Sequence, residues 1–149
     1  MLRRDYAGQN CSIARALEVV GERWTLLIVR DVFLGVRRFD QLQESLGIAR
    51  NVLTDRLNRL VEEGILERVP YREGSQRREY RLTDKGRELN IALTGLRQWG
   101  DKYLSEKPPR LLRRKTDKRP VVAALVPKGA PVLRPEEVET VPGPGLSAG

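Results

Sequence analysis

Two short amphipathic segments separated only by Gly47-Ile48-Ala49 constrain this chain more than any other feature. The first is expected to start with Asp40 as its cap and to bury Phe39, Leu42 and Leu46 at helical spacing. Gln41, Glu44 and Ser45 then face outward. Gly47 can end that helix because left-handed backbone costs glycine nothing. The second segment runs from Arg50 to Glu63. Its Leu53, Leu57, Leu60 and Val61 fall within an arc of roughly 100° at about 100° per residue. Asn51, Thr54, Asp55, Asn58 and Glu62 occupy the opposite side. Two short helices joined by so tight a turn form a supersecondary unit of their own.

The flanking segments extend the pattern. Ser12 is placed as the cap of a first helix whose apolar stripe is Ile13, Ala14, Ala16, Leu17 and Val20, ended by Gly21. Trp24 to Phe33 is apolar nearly all round, as a buried central helix should be. After Gly64, Leu66 to Arg72 and Arg78 to Leu82 read as two strands around Gly74, with Tyr80 and Leu82 pointing inward. Pro70 keeps its strand at an edge. Thr83 caps a long final helix reaching about Glu106, with an apolar stripe of Leu89, Ala92, Leu93, Leu96, Trp99, Tyr103 and Leu104. So small a domain has little with which to cover that stripe, so a second copy of the chain is the economical partner. The expected fold is α+β and mostly helical: a winged helix-turn-helix with flanking dimerisation helices. Residues 1–106 form that domain. Residues 107–149 are a Pro-rich, basic and partly disordered extension, with a strand at Val121 to Val126 and a disordered end from Pro142.

Composition removes other function classes. The chain has no histidine and one cysteine, so serine triads, imidazole metal sites, thiolate cages and internal disulfides cannot be built. No paired carboxylate site stands in for them, and neither enzymatic activity nor a cofactor or metal is expected. No signal peptide or membrane span is legible, which leaves the cytosol as the default compartment. The formal charge of +8 suits an acidic partner, but residues 1–106 carry 19 basic against 16 acidic side chains. The extension carries 9 against 4, so most of the excess lies outside the helical domain.

Five motifs in fixed order resemble the HxlR-type winged-helix regulators of bacteria, which are distantly similar to MarR-type proteins. They are CSIARALEVVGERWTLLI at 11–28, RFDQL at 38–42, LGIARNVLTDRL at 46–57, YRLTDKG at 80–86 and WGD at 99–101. The resemblance covers about Asn10 to Asp101. It implies dimeric binding of operator DNA and control of transcription from a promoter, as by a repressor. A serine common at the start of the second motif helix is Ala49 here, which forgoes a cap worth about 1 kcal/mol. Ser75 stands where the wing often has proline, and the extension lacks the cysteines of some relatives.

Within that frame Arg50, Asn51, Thr54 and Asn58 are the candidate readers of base edges and phosphates. Arg38, Arg72, Arg77 and Arg78 are candidate backbone or minor-groove contacts, with Arg37 beside them. Each set also has a plainer reading, as a solvated helix face or as charges that discourage strand pairing. Arg110 to Arg119 suits either a phosphate grip or a solvated linker. The dimer interface is placed at Leu89, Leu93, Leu96, Trp99 and Tyr103, with help from the Ser12 to Val20 helix. Trp24 is expected in core or interface. Cys11 is either a small packing residue or, as the resemblance suggests, a redox sensor. A small-molecule or redox effector stays open. The rival reading is a winged helix that binds protein and not DNA, separable by the salt dependence of DNA binding.

Overall fold

A computed structural model describes residues 5–74 and 76–146. The chain divides into two compact units at Arg87–Glu88, ahead of the last long helix and not after it.

The first unit holds helices α1 (Ser12–Val20), α2 (Thr25–Phe33), α3 (Phe39–Leu46) and α4 (Arg50–Glu62). They are followed by the antiparallel strands β1 (Leu66–Pro70) and β2 (Arg78–Leu82) and the one-turn helix α5 (Asp84–Arg87). Its core is aliphatic: Ile28 and Val29 of α2, Leu42 of α3, and Leu53, Leu57 and Leu60 of α4 have no exposed surface. These α3 and α4 residues are the ones that helical spacing assigns to the inside. α2 is less enclosed than its composition suggests, because Leu27 stays exposed. Its one buried charge, Asp31, accepts hydrogen bonds from Arg30 Nε at 3.0 Å and from Ser45 Oγ at 2.7 Å. A carboxylate in that position is tolerable because both oxygens are paired, and it pins α3 against α2.

Several local expectations need correction. The cap residues of α1 and α3 are Cys11 and Arg38, both extended and without a side-chain cap bond. Ser12 and Asp40 lie just inside the helices, where Asp40 still places a negative charge against the N-terminal dipole. Trp24 is the cap of α2, half-buried and left-handed at φ 83°. That conformation is uncommon for a bulky residue and turns the chain sharply between α1 and α2.

Gly47 adopts φ 64° at the end of α3, as the tight turn requires. The strands pair with Leu66 opposite Leu82 and Arg68 opposite Tyr80. On β2 the buried residue is Glu79, whose carboxylate Arg81 holds at 2.6 Å, while Tyr80 and Leu82 are half-buried. Thr83 does cap, donating to the Gly64 carbonyl and accepting from Gly86 N at 3.0 Å. Gly86 lies so close to the Ile65 carbonyl that a Cβ would stand 2.1 Å from its oxygen. The helix that Thr83 starts ends after one turn. A break at Glu88–Leu89 separates it from α6 (Asn90–Tyr103), so the single helix reaching Glu106 is two helices.

The second unit contains α6, the antiparallel pair β3 (Arg110–Arg114) and β4 (Val138–Pro142), and a 3-10 turn at Pro135–Glu137. β3 falls in the basic run and β4 in the stretch before the glycine-rich end. The expected strand at Val121 to Val126 is instead a non-strand segment anchored on both sides. Val121 N donates to Leu112 O at 2.9 Å. At Ala123 the Gln98 amide takes the place of a strand neighbour, donating to the carbonyl at 3.0 Å and accepting from the N–H at 2.9 Å. Order also extends beyond Pro142, since Gly143 N and Gly145 N bond to the carbonyls of Pro109 and Pro108. The last three residues lie outside the described range.

Candidate nucleic-acid interface

The α4 side chains left outside the core sort into one stripe. Arg50, Asn51, Thr54 and Asn58 are all exposed and fall within an arc of roughly 100° on the helix. Arg50 opens α4 with its guanidinium 4.8 Å above the Phe39 ring, which orients it from the start of α3. Thr54 turns its hydroxyl proton inward, donating to Arg50 O at 2.9 Å. It therefore presents a methyl group and oxygen lone pairs outward, and no donor. Ala49 lacks a side-chain cap, so the first amides of α4 stay available to an anion.

Asn58 has a partner that the sequence reading missed. Arg68 of β1 donates from Nη2 to Asn58 Oδ1 while stacking 5.8 Å from the Tyr80 ring across the hairpin. Arg68 thus joins the outer face of α4 to the base of the wing. Its position in β1 opposite Tyr80 was the available clue, because cross-strand neighbours lie close enough for a guanidinium to cover an aromatic ring. Arg38 is also more constrained than expected: it is half-buried, 3.9 Å over the Tyr71 ring where β1 ends. Arg37, Arg72, Arg77 and Arg78 are exposed, the last three around the turn at Gly74, whose φ is 77°. Ser75 lies outside the described residues.

The other two arginines of α4 work inward. Arg56 donates to Arg23 O at 3.1 Å and pairs with Glu22 at 3.0 Å, and Arg59 reaches Glu18 O. Both tie α4 to the end of α1 and the turn after it. The balanced charge of the helix therefore reflects two sides: arginines holding the scaffold, and a polar stripe with Arg50 and Arg68 at its ends.

The interface candidates divide by exposure. On α6 no residue is buried; Leu96, Trp99 and Tyr103 are 55%, 57% and 62% exposed, and Leu89 and Leu93 are half-buried. Trp99 and Tyr103 stack with ring centroids 5.5 Å apart. In the first unit Ile13 and Leu17 of α1 are likewise exposed. Cys11 is exposed at the α1 cap, so it is not a packed core residue. Among the described residues no cluster of acidic or cysteine side chains could hold a metal ion. No helix among them is long and apolar enough to cross a membrane.

Comparison with known proteins adds four findings. A family model described as HxlR-like helix-turn-helix matches residues 19–108. An uncharacterized HTH-type transcriptional regulator of Mycobacterium tuberculosis is 49% identical over 140 residues, which cover 92% of this chain and 89% of that protein. Among solved structures, the candidate transcription factor PA1607 matches with a TM-score of 0.71 at 46% identity, covering 80% of this chain and 85% of that one. The transcriptional regulator YodB of Bacillus subtilis, solved in reduced, quinone-bound and diamide-treated forms, matches in its reduced form with a TM-score of 0.55 at 28% identity. That match covers 64% of this chain and 96% of YodB.

Proposed function

Because the chain belongs to the HxlR-like helix-turn-helix family, we propose that it binds a specific promoter sequence as a homodimer and regulates transcription there. The family is one of DNA-binding transcriptional regulators, and the relatives found are not enzymes. The observation that carries the finer reading is the exposed stripe of Arg50, Asn51, Thr54 and Asn58 on the second motif helix, joined to the wing through Arg68. That helix is the one that enters the major groove in helix-turn-helix proteins, where asparagine reads adenine and arginine reads guanine or phosphate. The wing arginines Arg72, Arg77 and Arg78 then meet the sugar-phosphate backbone, with Arg37 and Arg38 at the entry to α3.

Homodimerisation rests on α6. An apolar row of Leu96, Trp99 and Tyr103 this exposed has the composition of an interface core, in which aromatic residues are enriched. Two copies present two motif helices, and engaging two half-sites together multiplies affinity.

Titrating promoter DNA against salt tests the reading and its rival together. Binding whose log affinity falls steeply with log salt is expected, because neutralised phosphates release counterions. Arg72→Ala should weaken binding to all sequences alike and flatten the slope by about one unit. A protein-interaction module would show neither the slope nor the effect of Arg72.

The exposed thiol supports a second role. Cys11 is exposed at the cap of α1, where a solvent-borne oxidant or electrophile can reach it, and the similar protein YodB has been solved bound to quinone and after diamide. In this reading, oxidation or alkylation of Cys11 alters DNA binding. Wild type should lose or change operator affinity under mild oxidant, and Cys11→Ser should not; an equal response in both removes the role.

A further inference from the structure

The second unit carries a half-open pocket of about 340 Å³ that the DNA-binding reading does not use. One wall is α6, through Thr94, Arg97, Gln98 and Asp101; the others are β3, the segment Pro120–Val122, and Val141 of β4. Its apolar surface comes from Leu111, Leu112, Val121, Val122 and Val141. Four cationic side chains line it, Arg97, Arg110, Arg113 and Lys118, against the single carboxylate of Asp101. Arg113 and Lys118 both bond to Glu139 Oε1, at 2.8 and 3.0 Å, and so share a single carboxylate as partner. The side chains of Arg110 and Asp101 have no hydrogen bond or ion pair with other described residues. The wall is fixed by the two-way bond between Gln98 and Ala123, which holds the Val121–Val122 segment beside α6.

We propose that this cavity is an effector site for a small organic monocarboxylate with an apolar body, its carboxylate held by Arg110. The size agrees, since small-molecule sites span about 300–1,000 Å³ and are mostly apolar with a few placed polar groups. Arginine matches a carboxylate with two parallel donors. The position on α6 supplies the readout. Thr94, Arg97, Gln98 and Asp101 lie on one side of that helix. Leu96, Trp99 and Tyr103 lie roughly opposite them at about 100° per residue. A ligand against the first side therefore biases the geometry of the second, which is the proposed dimer face. The inference rests on the dimeric DNA-binding reading for its effect, but not for binding itself.

Calorimetric titration of the full chain with octanoate, and with octanamide as the uncharged control, tests the site without DNA. Octanoate should bind more tightly than octanamide, and Arg110→Gln should cost octanoate about tenfold or more while leaving octanamide unchanged. Asp101→Asn removes the only negative charge of the lining and should tighten octanoate severalfold, a gain that a misfolded variant would not give. Absence of octanoate binding, or binding indifferent to both substitutions, overturns the site. Sedimentation with and without saturating octanoate should then show a shift in the monomer–dimer balance. Arg110-dependent binding with no shift overturns the effector role. A wild type that fails to bind DNA both with and without ligand counts against the DNA-binding reading alone.

Discussion

Residues 1–87 and 88–149 are built on different terms. Every buried hydrophobic side chain among the described residues belongs to the first, and α6, the longest helix of the chain, buries none. The first unit encloses its aliphatic residues from four helices and a hairpin. The second has one helix and two short strands, with apolar side chains such as Leu96, Trp99, Leu104 and Val122 left exposed. A domain that completes its own core holds its stability internally. One that cannot must gain it from a partner, at a concentration-dependent level. The proposed DNA-reading stripe thus lies on the unit with the buried aliphatic core, and the proposed assembly and effector functions fall to the unit without one.

Substitutions in the two cores should separate these regimes most sharply. Leu57→Ala empties a fully buried site on α4 and should cost about 2–5 kcal/mol at any protein concentration. Leu96→Ala leaves no cavity in a single copy, so its cost should appear only when dimers dissociate. Denaturant unfolding at two protein concentrations checks both. A concentration-independent loss of similar size at Leu96 would mean that the second unit also closes its own core.

Leu96→Glu goes further, because it buries a charge in any symmetric interface. Monomers by light scattering at micromolar concentration are expected, with promoter affinity lowered by about 10²-fold or more as the second half-site becomes independent. A wild type that is itself monomeric at that concentration would end the assignment of α6 as the interface.

The first unit was legible because periodicity reports burial directly. Leu42, Leu53, Leu57 and Leu60 lie inside as their spacing required, and the turn at Gly47 and the β2 boundaries fall where the residues place them. The caps at Ser12 and Asp40 failed because a capping residue type does not determine its own backbone dihedrals; Cys11 and Arg38 took the extended position one or two residues earlier. In the second unit the strand propensity of Val121 to Val126 was real, but it lost to pairing between β3 and β4, about 25 residues apart in sequence. No local pattern encodes such a partner. Arg50, Asn51, Thr54 and Asn58 are exposed on one side of α4, as their helical spacing places them. Arg68 was missed because its role arises from a cross-element bond to Asn58.

That bond defines a smaller effect within the first unit. If Arg68 and Asn58 read DNA as a pair, Asn58→Ala should relax sequence preference by about 1–3 kcal/mol. Arg68→Ala should then add little to it. The double-mutant cycle should give a coupling of about 0.5 kcal/mol or more. Strict additivity would leave Asn58 as a lone reader and Arg68 as a phosphate contact. Asn51→Ala, on the same stripe without a partner in the wing, serves as the additive control.

The smallest effect belongs to the second unit and concerns the β3–β4 strand pair. Glu139 of β4 is held below the usual carboxylate range, first by the hydrogen bond from Lys118 and then by that from Arg113, against a smaller opposing effect of burial. A carboxylate with a folded-state pKa below its unfolded one contributes stability that is fully present above the unfolded value. That contribution is lost as pH falls through the folded value. The β3–β4 pair should therefore loosen on acidification below about pH 4.5, the ordinary value of such a group. Glu137, lowered chiefly by its bond from the Arg134 backbone N–H, acts in the same direction at the turn before β4. Hydrogen exchange at the β3 and β4 amides, measured from about pH 6 down to about pH 3, should show protection falling in wild type. Glu139→Gln should start lower and lose less over the same range, while the β1–β2 amides of the two proteins should match. The effect should stay small, because the carboxylate and both its cations remain partly exposed and solvent screens them. Equal acid sensitivity in wild type and Glu139→Gln would mean that backbone pairing alone holds the second unit's sheet. The charge cluster beside the cavity would then be incidental to its architecture.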